Sequence, residues 1–234
     1  DNVLAHFYKG NALFKLQHYS HALTAYEQVI RLRPDEATGY GQKGGTLPKL
    51  KRYVEALAAC KQAIQLAPEN PEYYEYAIHA LVKLKRHSEV CTFCTRLIEL
   101  DENDTYGHYT QAVALLKLKR SEEAHAAFER SLIALAKAIE RDPEDALAYM
   151  MQGLTYYNLK RYAEALLSFE HVIRLKPAKL QDFIRYDNTS IEARKVKAVA
   201  LWKLRRYGTA ISAYVQMLRV IIKTVLFKEE VRIS

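Results

Sequence analysis

Cysteine is scarce in this chain: 234 residues hold only Cys60, Cys91 and Cys94. An odd trio builds no disulfide framework, and free thiols point to a reducing compartment, the cytoplasm by default. Long apolar runs are missing too. No segment approaches the roughly 18 unbroken apolar residues of a membrane span, and the apolar tail VIIKTVLF carries Lys223 in its middle. A secretory signal pattern is absent. So are the marks of catalysis: there is no paired HExxH, no nucleophile elbow and no second half for a zinc pattern. The expectation is a non-enzymatic protein with no catalytic, cofactor-binding or metal-ligating residues. Asp1 stands where a start Met would, which suggests a piece of a longer protein.

What is present is half apolar and 26 % charged in mixed sign, with a net charge of +8. Such a balance belongs to an ordered chain rather than a disordered tail. Its most informative property is that it repeats itself. KRYVEALAACKQAIQLAP at 51–68 returns as KRYAEALLSFEHVIRLKP at 160–177, identical at nine of eighteen positions. Sliding by 34 residues finds further copies. Gly10, Gly44 and Gly153 precede Leu16, Leu50 and Leu159 by six, and Tyr19, Tyr53, Tyr162 and Tyr207 follow the corresponding leucines by three. A small residue comes next (Ala22, Ala56, Ala124, Ala165, Ala210, with Val90 in one copy), and four residues on sits Tyr26, Cys60, Cys94, Phe128, Phe169 or Tyr214. Pro34, Pro68, Pro143 and Pro177 close the copies, with Glu102 in that place once.

Apolar positions recurring at three and four predict two helices of about 14 residues per copy. The Ala lets the first helix come close, and the residue four later shares its face. One such hairpin cannot bury its apolar face alone, so neighbours must stack on it.

Period and signature together resemble the tetratricopeptide repeat family, in six copies: about 3–36, 37–70, 71–104, 105–145, 146–179 and 191–224. The early Trp usual in the family is replaced by His6, Tyr40, Tyr74, His108, Tyr149 and Arg194. The resemblance implies an all-α, right-handed superhelical solenoid of antiparallel helix pairs, with first helices lining a concave groove. Two irregularities interrupt it. Seven extra residues in copy four, FERSLIALAKAIERDP, predict a lengthened second helix with Phe128, Leu132, Leu135 and Ile139 on one face, or else a segment lost at that point. Residues 178–190 form an irregular insert, and the apolar extension 218–234 matches no repeat and is expected to pack on something.

Several local patterns resolve into the repeat. GYGQKGGT at 39–46 lacks the strand and the Lys of a phosphate loop and reads as a weak, bendable first helix, a candidate hinge. Cys91-Thr-Phe-Cys94 has half the spacing of a metal site, but Cys94 falls on a core position of the repeat. Basic residues gather where first helices end (Lys49, Lys51, Arg52; Lys83, Lys85, Arg86; Lys117, Lys119, Arg120; Lys160, Arg161; Lys203, Arg205, Arg206) and acidic ones where they begin. That arrangement complements helix dipoles, and it also forms an edge able to attract a nucleic acid or another polyanion. Aromatic residues for stacking bases are missing from these turns.

In the family, first-helix positions 2, 5, 6, 9 and 12 face the groove. Carried over, they give Phe7 and Asn11 in copy one, Tyr106, Tyr109, Val113 and Leu116 in copy four, Leu147, Met150, Met151, Leu154 and Tyr157 in copy five, and Val199 and Trp202 in copy six. An apolar surface of this extent implies a partner helix or peptide of another protein; the competing reading is that these residues pack on neighbours or that the insert or tail fills the groove. Glu72 and Glu75 favour a basic segment at the other end. The carboxylate clamp by which some relatives hold chaperone tails is reduced to Asn11 among Phe7, Asn11, Gln42, Glu72 and Tyr76. The expected function is a protein-interaction scaffold; the alternatives are a regulatory arm of a larger enzyme and polyanion binding by the basic edge.

Overall fold

A computed structural model describes residues 2–175, 197–199, 201, 209, 210 and 213. Among the described residues up to 175, ten α-helices alternate as first and second members of a pair: α1 Val3–Lys15, α2 Tyr19–Leu32, α3 Ala37–Thr46, α4 Tyr53–Leu66, α5 Pro71–Lys83, α6 His87–Leu100, α7 Thr105–Lys117, α8 Ser121–Arg141, α9 Ala146–Asn158 and α10 Tyr162–Arg174. No strand occurs among the described residues. Two compact units divide the chain, Asp1–Ala124 and His125–Ser234. In the first, α1 packs on α2, α3 on α4 and α5 on α6, and each pair stacks on the next through α2 and α3, α4 and α5, α6 and α7. In the second, α9 packs on α10. The seven extra residues of copy four lie within α8, whose 21 residues form one continuous helix. The insert 178–190 and the extension 218–234 fall outside the described residues.

The helices start where short side chains can bind free amides. Asn2 accepts from the Ala5 amide, Asn70 from Glu72, Asp104 from Gly107, and Asp145 from Leu147 and Ala148 at 2.8 and 3.1 Å. First helices end in a shared device: the amides of Arg52, Arg86, Arg120 and Arg161 reach back to the carbonyls of Leu47, Leu81, Leu115 and Tyr156. The residue before each Arg, Lys51, Lys85, Lys119 or Lys160, has φ between 58° and 62°. This is the Schellman ending, whose left-handed position glycine fills without strain. Each Arg then pairs with the Glu in the first turn of the second helix, as Arg52 does with Glu55 and Arg120 with Glu123, both at 2.6 Å. These hydrogen bonds hold Glu55, Glu123 and Glu164 below the usual carboxylate range.

Within a pair, a glycine makes room for a ring. A Cβ added at Gly10 would lie 2.5 Å from the Tyr26 ring, and one at Gly153 would lie 2.4 Å from that of Phe169. In copy three the two sizes are exchanged: Cys94 takes the place of the ring and Ile78 that of the glycine, both fully buried in one cluster. Between pairs, a first-helix side chain reaches the preceding second helix: Lys43 to Glu27 at 2.8 Å, Gln111 to Thr95 at 2.9 Å and Lys197 to Glu170 at 3.0 Å. The last of these joins copy six to copy five across the insert, where Ala198, Leu201, Ala210 and Ala213 cluster with Leu166.

Candidate interaction groove

The first helices of unit 1 enclose two clefts that share one wall. The first, of about 340 Å³, is lined by Phe14, Gln42, Gly45, Glu75, Tyr76, His79 and Tyr106, with Pro48 and Lys49 at one side. These residues come from α1, α3 and its following turn, α5 and α7. Gly45 is what leaves the space open, because a Cβ there would meet the Tyr76 ring at 2.8 Å. Gly41, one helical turn earlier, admits Tyr73 in the same way. The glycine-rich segment thus forms α3 and continues into a 3-10 turn, Leu47–Leu50, with its bare backbone against the tyrosines of α5.

The second cleft, of about 560 Å³, is mostly apolar, with Val82, Tyr106, Tyr109 and Val113 as walls and Lys85, His87 and Lys117 around them. Tyr106 belongs to both clefts.

The first cleft is electrically lopsided. Glu75 is half-buried, and burial, followed by the charges of Asp104 and Glu72, raises its pKa above the usual carboxylate range. The Tyr76 hydroxyl donates to the Glu72 carboxylate. Burial pushes the Tyr76 and Tyr106 hydroxyls up, so both rings stay neutral. His79 is pushed the other way, first by burial and then by the charges of Lys83 and Lys49.

The groove positions expected from the sequence divide. Tyr106, Tyr109 and Val113 come together in the second cleft, while Leu116 is exposed outside it. Leu147 and Val199 are exposed, and Leu154 and Tyr157 pack partly against the core of the second unit. Met150 and Met151 are corrections: they are 7 % and 9 % exposed, and Met150 sits in a cluster with Ala165, Phe169 and Val172, so neither is free for a partner. Asn11 is occupied as well, its Oδ1 accepting from the Tyr26 hydroxyl at 2.8 Å, with the Phe7 ring 6.5 Å from that of Tyr26. Trp202 lies outside the described residues. The groove expected from the sequence left out Gly45, Tyr76 and His79, although Tyr76 was met as a clamp position and Gly45 within GYGQKGGT. A usable signal was there, since Gly45 falls on position 9, where a groove side chain is expected, and leaves that place empty.

Cys60 and Cys94 are buried and Cys91 half-buried. Among the described residues no three His, Cys, Asp or Glu side chains converge as metal ligands, and no helix is long and apolar enough to cross a membrane.

Comparison with known proteins agrees with this architecture. No curated protein matches the sequence. Solved structures do: MamA has a TM-score of 0.60 at 18 % identity, covering 76 % of this chain and 98 % of its own. TTC0263, a thermophilic tetratricopeptide protein of Thermus thermophilus, scores 0.59 at 20 % identity over 80 % of this chain and 98 % of its own. YrrB, described as a tetratricopeptide protein with an unusual peptide-binding site, scores 0.52 at 24 % identity over 81 % and 90 %. At these identities the likeness concerns the fold alone. The sequence profile of the tetratricopeptide repeat matches residues 8–71 and 109–179, more than half of the chain. With the helix pairs and their 34-residue spacing already in view, the chain belongs to the tetratricopeptide repeat family.

Proposed function

We propose that this protein is an interaction module that binds a segment of another protein, peptide or helix, along the first helices of unit 1. The observation that carries the reading is the pair of clefts with Tyr106 in common. Their volumes fall in the range of about 300–1,000 Å³ in which proteins commonly hold ligands, and both are built on helices rather than loops. A surface fixed in this way loses little freedom on binding. The site therefore centres on α3, α5 and α7 with Tyr106, Tyr109 and Val113, earlier in the chain than most of the sequence-derived surface. In the second unit, Leu147, Leu154, Tyr157 and Val199 are the described groove positions that keep some exposure.

The test is affinity capture from the native host with the wild-type chain and with Tyr109→Glu/Val113→Glu, the variant's helicity being checked by circular dichroism. A partner recovered by the wild type and lost by the folded variant is the expected result. The same partners on both would remove the groove from consideration.

A second reading has its own support. Within unit 1, Lys51, Lys85 and Lys119 hold left-handed positions that glycine fills at lower cost, and all three are exposed. Cations placed against backbone preference suit a polyanion-binding edge. Binding that falls steeply with added salt, and falls again on Lys→Gly exchange, is the outcome this reading requires.

A further inference from the structure

We propose that the smaller cleft is a subsite for one cationic side chain, lysine or arginine, of the bound segment, with Glu75 as its counter-ion and the rings of Phe14, Tyr76 and Tyr106 as its walls. This rests on the reading of the groove as the binding face and gives that face a chemical preference.

Glu75 is an exception in this molecule. Among the described residues, the other half-buried carboxylates are all engaged: Glu89, Glu129, Glu164 and Glu170 in ion pairs, Asp104 and Asp145 as helix caps. Glu75 has no cation beside it, and its charged neighbours, Glu72 and Asp104, repel it. A carboxylate taken partly out of water without compensation costs free energy in the unbound protein, and an incoming cation recovers it. The positive groups of the cleft do not fill this role. Lys49 is exposed at the side, and burial with the charges of Lys83 and Lys49 shifts His79 toward its uncharged form.

The walls suit the same occupant. Neutral tyrosine and phenylalanine rings present a negative π-face to a cation, and they pack equally well on the apolar stem that carries it. Gly45 supplies the depth, since any larger residue there would collide with Tyr76 or project into the opening. An anionic residue would meet Glu75, whose surroundings Glu72 and Asp104 already make negative. A neutral apolar one would leave Glu75 as uncompensated as before.

The test uses the 234-residue chain, with the probes N-acetyl-arginine amide and its uncharged isostere N-acetyl-citrulline amide, followed by two-dimensional NMR. Saturable shifts at Tyr76 and Tyr106, with the arginine probe preferred at least about tenfold, are expected. Glu75→Gln should abolish the preference, and Glu69→Gln, an exposed partner of Arg96, should leave it intact. Equal binding of the two probes, no saturable binding of the arginine probe, or a preference that survives Glu75→Gln would each overturn the proposal. Failure here is separable from failure of the groove: if Tyr109→Glu/Val113→Glu still loses its partner, the groove stands without a cation subsite.

Discussion

Copies two and five share a second-helix phrase at nine of eighteen positions, yet their first helices differ in kind. In copy two, α3 is ATGYGQKGGT, four glycines in ten residues, and in copy five, α9 is ALAYMMQGLTYYN. The second helices α4 and α10 do the same work in both: Ala56 and Ala165 are fully buried, as are Cys60 and Phe169 one turn later. The first helices diverge where they leave the pair. In copy two, Gly41 and Gly45 give their space to tyrosines of the next copy and leave a cleft. In copy five the counterparts are Met150, buried against α10, and Leu154, packed partly on the same cluster. The repeat is thus a constant second helix with a first helix free to vary, and binding chemistry is written on the variable one.

The sharpest way to break this comparison is to empty the core that the two copies share. Phe169→Ala should cost about 3–5 kcal/mol, because Gly153 opposite it leaves nothing to collapse into the hole; Cys60→Ala should cost about 1 kcal/mol or less, with fewer atoms removed. Urea unfolding followed by circular dichroism ranks the two. Reversing the operation comes next. Gly153→Ala drives a methyl into a fully buried ring and should destabilise by about 1–3 kcal/mol, whereas at Gly44 the obstacle is the Cys60 sulfur, which can turn aside, so Gly44→Ala should cost less.

The helix starts separate the copies by a smaller amount. Asp145→Ala removes the acceptor for two amides and should cost about 1 kcal/mol. Glu36, at the start of α3, makes no such bond and only an exposed pair with Arg33; Glu36→Ala should shift stability by less than about 0.5 kcal/mol. The smallest effect has the opposite sign. Lys119→Gly relieves a left-handed lysine and should stabilise by about 0.5–1 kcal/mol, seen as a rise in Tm. Thiol chemistry marks the core without mutation: burial pushes the Cys60 thiol up to about 12 and Cys94 higher still, while Cys91 is only half-buried. At pH 8 a haloacetamide should therefore label Cys91 first and the other two only in urea, read by mass spectrometry.

The frame of this fold was legible in the sequence because it is local. Helix starts at 3, 37, 71, 105 and 146 follow from 3.6-residue periodicity and turn residues, and the glycine-to-ring spacing of sixteen from Gly10 to Tyr26 and from Gly153 to Phe169 lies within one hairpin. The candidate site is not local. Whether Met150 faces solvent depends on what α10 presents to it, and the cleft at Gly45 exists only because Tyr76, thirty-one residues later, stacks beside it. GYGQKGGT looked like a weakness to be explained as a hinge; in three dimensions it is a place kept clear for its neighbours. Tyr109 and Val113 were readable as groove residues because the family's positions map onto them directly, and Glu75 because charge stands out on an otherwise apolar face.

The left-handed lysines have one more consequence, for the life of the chain in a cell. Lys51-Arg52, Lys85-Arg86, Lys119-Arg120 and Lys160-Arg161 are dibasic bonds, each displayed on an exposed turn at the same point of a repeat. A trypsin-like protease meets the same cleavage point in copy after copy, and the cuts at Lys51, Lys85 and Lys160 fall between two helices that pack on each other. Nicking at Lys51 or Lys85 would sever the chain while α3 still rests on α4 and α5 on α6. The fragments would be a ladder set by the repeat, and the nicked assembly would outlast the continuity of its backbone.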